Sequence, residues 1–264
     1  MLVLLPPSEG KTPGADGALP VELSSLSSPE LSEPRELVLT GLRAASARSD
    51  ALEVLGVSAG LATEVARNVR LDTEPTAPAR EVYSGVLYAA AGLAELEGAA
   101  LARAQEHVRT VSALWGLVAP LDRIPAYRLA MGTALPGLGQ LAGVWRAPLA
   151  EVLNPIAAER LVVDCRSAAY QAAWRPGPTA HAWVGVRVVR DGKVVSHHAK
   201  HTRGVLTRHL LTRDAAVPRT SAELLDAARE LPAVGPSGPG GWRVLDAALL
   251  DGPGHQQTLE IAVG

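Results

Sequence analysis

The order of apolar and polar positions predicts short strands and helices that alternate irregularly along the chain. Residues 1–5, MLVLL, form a continuous apolar run, which is typical of a strand buried on both faces. Apolar residues then recur at helical spacing over residues 34–48, where Pro34 suits the first helical turn. Two short helical patterns on either side of Gly56 predict a helical hairpin at residues 50–70.

The second half of the chain contains the clearest hairpin pattern. Two runs, residues 181–189 and 193–198, flank Asp191-Gly192, a dipeptide that suits a type I′ turn. Further strands are predicted at residues 107–111, 160–164 and 259–263. Helices are predicted within residues 89–105, 137–154, 205–212 and 221–230, with Ser221 as the candidate cap of the last one, and a loop is predicted at 235–241. One more helix, after residue 167, would place Tyr170 and Trp174 on one face. This irregular order predicts a single mixed α/β (α+β) domain over residues 1–264, with a mixed sheet flanked by helices.

Composition and charge narrow the functional classes. Of the 264 residues 47% are hydrophobic, which is enough for a large core. A single cysteine, Cys165, excludes an internal disulfide and a multi-cysteine metal site. The apolar start has no basic segment before it and no run of about 18 apolar residues occurs, so we expect a cytoplasmic protein without a membrane partner. The net charge of −2 does not indicate a nucleic-acid binder, yet residues 187–213 hold seven Arg or Lys against one acid.

Residues 111–132, VSALWGLVAPLDRIPAYRLAMG, form the most site-like stretch of the sequence. Its prolines at 120 and 125 prevent a continuous helix, because proline lacks an N–H group and restricts the preceding residue. The stretch sets four polar side chains among apolar residues, namely Asp122, Arg123, Tyr127 and Arg128. A buried charge costs free energy unless it is paired or binds a ligand, so this pattern predicts a functional loop.

A second candidate is the loop at residues 6–12, which follows the first predicted strand. It places Lys11 and Thr12 at the carboxyl end of that strand, where α/β sheets commonly bind ligands. The loop is not a Walker A motif, because Leu5 stands where that motif requires its first glycine. A surface lysine in a turn is the alternative interpretation.

The segment at residues 114–132 fits the pattern L-(Y/W)-G-L-x-x-P-L-D-x-(I/M)-x-x-Y-R-L-x-M-G and resembles the core signature of the YaaA family of bacterial peroxide-stress proteins. Three further stretches match that family in the same order along the chain. They are the opening strand with its Ser8, Lys11 and Thr12 loop, Tyr83-x-Gly85, and Lys200-x-x-Arg203-Gly204.

The resemblance implies a cytoplasmic protein that is induced by hydrogen peroxide and limits damage from unincorporated iron. It also implies one mixed α/β fold with a basic cleft, and DNA binding through a helix-hairpin-helix element. The sequence departs from the family pattern at Ala130 and Ala169, where many members carry an acid. The glycine turn of some relatives falls near Thr63-Glu64-Val65, which leaves Gly56 or Gly60 to take its place.

The matched positions define the predicted site. The basic positions are retained, so the predicted DNA- or anion-binding residues are Lys11, Thr12, Arg128, Lys200 and Arg203, and the cleft-shaping residues are Tyr83, Asp122, Tyr127 and Tyr170. Arginine suits two-point contacts to phosphate or carboxylate. The alternative for Arg128 is a structural ion pair with Asp122.

Three histidines raise the question of a metal site. His197 and His198 are adjacent on a predicted strand and would point to opposite faces, so they should not share one ion. An iron or zinc site of His198, His201, Asp164 and Cys165 remains conceivable, but we predict no metal site and no cofactor.

The leading hypothesis is a peroxide-stress protein that binds double-stranded or structured DNA through a basic cleft and protects against iron-dependent oxidative damage. The alternative is an enzyme acting on a small anionic metabolite or nucleotide in the same cleft, with Lys11 or Lys200 as nucleophile or acid and Tyr127 as an orienting donor. A third possibility is iron sequestration. Whether the protein is an enzyme stays open, since the resemblance implies no established catalysis.

Overall fold

A computed structural model of the chain describes residues 1–195, 197–234, 243–252 and 255–264. The strands are β1 Leu2–Leu5, β2 Thr76–Pro78, β3 Val108–Ser112, β4 Gly116–Val118, β5 Arg123–Pro125, β6 Ala134–Leu135, β7 Gly139–Gln140, β8 Leu161–Asp164, β9 Ala182–Arg190, β10 Lys193–Val194, β11 Val244–Asp251 and β12 Gln256–Val263. The α-helices are α1 Ser32–Ser46, α2 Ala51–Val54, α3 Ala62–Asn68, α4 Ala79–Val82, α5 Val86–Ala91, α6 Gly98–His107, α7 Leu141–Glu159, α8 Ala168–Gln171, α9 His197–Thr212, α10 Ser221–Arg229 and α11 Leu231–Val234.

Eight strands form one mixed sheet in the order β11-β12-β9-β8-β1-β3-β4, with β10 paired to β9. The neighbours β12/β9, β9/β8, β8/β1 and β1/β3 are parallel, whereas the two outer pairs and β10/β9 are antiparallel. Helices flank this sheet, which confirms the predicted α/β fold class.

Strand β1 lies at the centre of the parallel part of the sheet. All four of its residues are buried, as the unbroken apolar run predicted for a strand covered on both faces. The chain leaves β1, pairs β3 on one side, and later returns to pair β8 on the other side. The carboxyl ends of β1 and β8 are therefore adjacent at a point where the strand order reverses, which is where open α/β sheets bind ligands.

The predicted hairpin around Asp191 is only partly correct. Strands β9 and β10 pair on either side of Asp191-Gly192, but β10 ends at Val194 and helix α9 begins at His197. The strand prediction is therefore wrong for residues 195, 197 and 198, and residue 196 lies outside the described residues. Helix α9 packs on α5, and a Cβ added at Gly204 would lie 2.3 Å from the Leu87 carbonyl oxygen. Gly204 thus allows a close approach of two helices inside α9, where the sequence had suggested a helix start.

The predicted helical hairpin at residues 50–70 consists of α2, a 3₁₀ turn and α3. Gly56 has a left-handed φ of 63° and ends α2 with two reverse hydrogen bonds, from Gly56 N to the Glu53 oxygen and from Val57 N to the Leu52 oxygen. These two N–H groups therefore cannot bind a phosphate. Downstream, Arg67 and Arg70 both pair with Glu74, at 3.5 and 3.1 Å.

Three smaller predictions need correction. Helix α8 ends at Gln171, so Trp174 does not share a helical face with Tyr170, and its indole instead donates to Asn154 at 2.9 Å. Strand β11 was not predicted, and β12 begins at Gln256. The cap of α10 is Thr220, which accepts from Glu223 N, where Ser221 had been expected. The loop predicted at residues 235–241 lies outside the described residues.

A buried arginine holds residues 115–117 against residues 27–28. Arg35 of α1 is fully buried, and its guanidinium donates to the carbonyl oxygens of Trp115, Leu117, Ser27 and Ser28. Burial lowers the pKa of Arg35 to about 10, and the charge of Asp122 opposes this shift. Four carbonyl acceptors satisfy a cation that would otherwise be costly to bury, so Arg35 stabilises this loop.

Within the part of the chain that the structure describes, none of the helices combines the length and apolar character needed to span a bilayer.

Candidate functional site

A cavity of about 470 Å³ opens at the carboxyl ends of β1 and β8. The loop that follows β1 forms one wall, and Ser167 and Tyr170, which follow β8, form another. Helix α9, residues 84–88 and residues 128–130 close the remaining sides. The charged residues that line it are Glu9, Lys11, Arg128, Lys200 and Arg203. Four cations and one carboxylate thus face a single space at the predicted binding edge of the sheet.

Lys11 reaches the cavity from a backbone that pairs with Tyr83. Its main chain forms an isolated antiparallel bridge with Tyr83, and Thr12 N donates to the Val82 oxygen at 2.9 Å. The ammonium group donates to the Ser8 oxygen at 2.7 Å and lies 4.3 Å from the centroid of the Tyr127 ring. Burial and the charge of Arg128 lower the pKa of Lys11 to about 7, while Glu9 acts in the opposite direction. The ammonium group of Lys11 therefore loses its proton more readily than that of an ordinary lysine.

Arg128 is positioned through its backbone by helix α3. The side-chain amide of the buried Asn68 accepts from Arg128 N and donates to the Arg128 oxygen, both at 2.9 Å. The guanidinium of Arg128 donates to the backbone carbonyl oxygen of Glu9 at 3.3 Å. Among the described residues Arg128 has no carboxylate partner within salt-bridge distance. The predicted alternative, an ion pair with Asp122, is therefore wrong.

Helix α9 contributes two cations to the cavity. Lys200 is exposed, and Arg203 is partly buried. The Arg203 guanidinium donates to the Val186 oxygen from Nε at 3.2 Å and from Nη2 at 2.8 Å, which fixes it against β9. The pairing leaves Nη1 of Arg203 outside this contact. Because α9 continues through both residues, one rigid element presents both charges.

A chain of buried hydroxyl groups lies behind Lys11. Ser112 Oγ accepts from the backbone N–H groups of Leu114 and Trp115, so its own proton is left to donate to Tyr127 OH at 2.7 Å. Tyr127 OH in turn is 3.1 Å from Tyr83 OH. Burial raises the pKa of both tyrosines well above the usual value. These hydroxyls are neutral hydrogen-bond donors that hold the two rings beside Lys11.

Asp122 does not line the cavity. Its carboxylate accepts from Ala119 N at 2.8 Å, from Ser27 N at 3.0 Å and from Ser27 Oγ at 2.8 Å. Asp122 therefore holds the turn after β4 and ties it to the segment before α1. Its role is to shape the loop that carries Tyr127 and Arg128.

Asp164 and Cys165 of the conceivable metal site have other roles in the structure. Asp164 and Arg166 form a fully buried two-point ion pair with 2.9 Å contacts, and Trp183 Nε1 also donates to Asp164 at 3.3 Å. Burial raises the pKa of the Cys165 thiol to about 12, so this sulfur is a protonated core group. The His197 and His198 side chains lie outside the described residues, and the premise that both stand on a strand is wrong. No group of three or more His, Cys, Asp or Glu side chains in the described ranges could hold a metal ion.

The structure brings together most of the predicted site residues. Lys11, Arg128, Lys200, Arg203 and Tyr170 line the cavity, Tyr83 and Tyr127 lie behind it, and Thr12 and Asp122 lie outside the lining. Burial raises the pKa of Tyr170 to about 12.

Sequence reasoning missed Asn68, Ser112 and Arg35, which position the site without lining it. The polar Ser112 inside an apolar run was a usable signal. A single Asn or Arg on a predicted helix carries no signal that it positions a site.

Comparison with known proteins gives consistent matches. The family model described as peroxide stress protein YaaA matches residues 1–230. A UPF0246 protein of Streptomyces coelicolor is 50% identical over 236 residues, which cover 88% of this chain and 90% of that protein. A UPF0246 protein of Corynebacterium efficiens is 44% identical over 241 residues, 87% and 92% of the two chains. One from Methylibium petroleiphilum is 35% identical over 189 residues, 64% and 72% of the two chains.

Proposed function

Because the chain belongs to the peroxide stress protein YaaA family, as its four motifs indicated, we propose that it acts in the peroxide stress response by binding DNA. The mechanism is contact between backbone phosphates and Lys11, Arg128, Lys200 and Arg203, with little readout of base sequence. DNA held in this way is shielded from iron-dependent oxidative damage.

One observation carries this proposal: four cations from three separate parts of the chain line a single cavity that contains one carboxylate, that of Glu9. Arg128 and Arg203 are fixed by backbone contacts and have no carboxylate partner among the described residues, so their remaining N–H groups suit two-point phosphate contacts. Arg67 and Arg70 of the helical hairpin are already paired with Glu74. The cavity therefore supports the DNA proposal more strongly than the hairpin does, and the role of a helix-hairpin-helix element stays a prediction.

A salt titration tests the proposal. Binding of a labelled duplex, with and without a bulge, is measured by anisotropy between low and physiological salt. At pH 6, where Lys11 is mostly protonated, four cations that each neutralise one phosphate make log K fall with log[salt] at a slope of about −3.6, and Arg128→Ala plus Arg203→Ala makes that slope shallower by about 1.8. The matched control is Arg146→Ala plus Arg175→Ala, which removes the same charge from a separate pocket. Undetectable binding at low salt, or equal slopes for the two double variants, would refute DNA binding through this cavity.

A second candidate function is catalysis on a small anionic metabolite or nucleotide. The observation that favours it is the cavity volume of about 470 Å³, which falls within the range of small-ligand sites, about 300–1,000 Å³. A thermal-shift screen with nucleotides and acidic metabolites tests it. A ligand at a hundred times its Kd stabilises the fold by about 2.7 kcal/mol, and a screen in which no compound shifts the melting temperature counts against this candidate.

A further inference from the structure

The chain has only three lysines, and they occupy different surroundings. Lys193 is exposed on strand β10, and Lys200 is exposed on α9. Lys11 is partly buried, donates to a backbone carbonyl and lies against the faces of Tyr127 and Tyr83, at 4.3 and 5.8 Å from their centroids. Among the described residues no carboxylate lies within salt-bridge distance of its ammonium group.

Burial disfavours the protonated form of Lys11, and the charge of Arg128 adds to this effect. Arg128 is the second cation on its side of the cavity, Lys200 and Arg203 face it from α9, and the nearest acid, Glu9, is exposed. Burial and Arg128 lower the pKa of Lys11 to about 7. About half of the Lys11 side chains are then neutral at pH 7, against about 0.04% of ordinary lysines. A neutral lysine amine is a nucleophile.

The position of the Lys11 amine also suits attack on a carbonyl group. The Ser8 carbonyl oxygen can only accept a hydrogen bond, so it leaves the lone pair of the neutral amine free. The hydroxyl groups of Ser84, Ser167 and Tyr170 belong to residues that line the same cavity, where they can hydrogen-bond a carbonyl oxygen. The nearby guanidinium groups of Arg128 and Arg203 suit a phosphate or a carboxylate.

We propose that Lys11 forms an imine with an aldehyde or ketone whose phosphate or carboxylate group is bound by Arg128 and Arg203. The amine nitrogen attacks the carbonyl carbon, a C–N double bond replaces the C–O double bond, and the carbonyl oxygen leaves as water with both amine hydrogens. No oxidant or reductant is needed. The inference rests on the anion-binding cavity of the proposed function, and it assigns the reactive group within it.

The same chemistry has two possible sources. One is a free phosphorylated or carboxylated carbonyl compound. The other is the aldehydic sugar of a base-less position in DNA, where the flanking phosphates supply the charge. Glycolaldehyde phosphate, pyruvate and a duplex with one abasic position are therefore the probes. Each is incubated with the full-length protein and sodium cyanoborohydride at pH 7, and the adduct is located by peptide mass mapping.

The expected result is one adduct, on the peptide that contains Lys11, at least tenfold more abundant than on the peptides of Lys193 and Lys200. Lys11→Arg should remove this adduct, and the control Lys193→Arg should leave it unchanged. Adduct formation with a small probe, suppressed by excess inorganic phosphate, identifies a free carbonyl compound. An adduct with abasic DNA alone identifies the DNA source.

No adduct with any probe, or equal labelling of the three lysines, would overturn the proposal. Mapping on the wild-type protein keeps this outcome readable even if Lys11→Arg folds poorly. The salt titration of intact duplex distinguishes imine formation from DNA binding. If the protein binds duplex but forms no adduct, only the imine proposal fails. If a small probe forms an adduct but the protein does not bind duplex, only the DNA-binding proposal fails.

Discussion

Substitution of Asn68 by alanine should destabilise the protein although this residue lies outside the cavity. Its amide satisfies the N–H and the carbonyl oxygen of Arg128, both at 2.9 Å, and also donates to Ser46 Oγ at 3.2 Å. Removing the amide leaves two backbone groups without protein partners, and each such group costs about 1–3 kcal/mol when buried. Because Arg128 is partly exposed and water can enter, we expect a loss of about 2–4 kcal/mol in the free energy of unfolding.

Urea denaturation followed by circular dichroism measures this loss. For a chain of this length it corresponds to a fall in melting temperature of about 4–8 °C. Hydrogen exchange gives a local readout, since the Arg128 amide should exchange faster once its acceptor is gone. The control is Thr63→Ala, an exposed position on the same helix α3. If the two variants unfold within about 0.5 kcal/mol of each other, Asn68 does not support the loop and the reasoning fails.

Two other predictions concern Gly116 and Lys11. Gly116→Ala should cost at least about 2 kcal/mol, because a Cβ there would lie 2.4 Å from the Trp145 ring and the residue has φ of 67°. Gly139→Ala, with φ of 76° and open space, measures the backbone strain alone, and equal losses in thermal denaturation would exclude the clash. Lys11→Met should be more stable than wild type at pH 6. Between about pH 7 and pH 10.5 Lys11 is protonated in the unfolded chain and largely neutral in the folded protein. The free energy of unfolding of the wild type therefore rises with pH in this window, relative to that of the variant. A difference in urea unfolding that does not change with pH would contradict this.

The sheet and the location of the site could be predicted because they depend on local sequence. Residues 1–5 and 161–163 are short apolar runs, which suit buried parallel strands, and the Lys11 loop follows the first of them. The long motif at residues 114–132 then identified the loop that carries Arg128. Five predicted side chains line the cavity as a result.

The errors have a common physical cause, which is tertiary packing that overrides a local signal. The sequence predicted a helix that begins at residue 205, but Gly204 lies inside α9. A glycine is needed at this position because α5 approaches too closely for a side chain. The His197 segment lacks helical periodicity, yet it is helical as the first turn of α9. Strand β11 escaped prediction because its exposed and buried positions do not alternate.

Positioning groups could not be inferred from sequence for a different reason. Asn68 and Arg35 act through backbone carbonyls and amides far away in the chain, so nothing in their own neighbourhood marks them. The alternative interpretation of Arg128, an ion pair with Asp122, was also wrong for this reason. Asp122 accepts from Ser27 N, Ser27 Oγ and Ala119 N, and the two backbone amides among these donors carry no sequence signature.

The central place of β1 has a consequence for synthesis. This strand is synthesised before both of its partners, because Val3 pairs with Val108 and with Val163. At translation rates of about 5–20 residues per second, its apolar residues wait about 5–20 s for the first partner and longer for the second. The apolar residues of β1 therefore stay exposed during synthesis until β3 and β8 have been made, and the cavity cannot form in a fragment that stops before β8. A chaperone that binds the β1 residues during synthesis would raise the yield of folded protein.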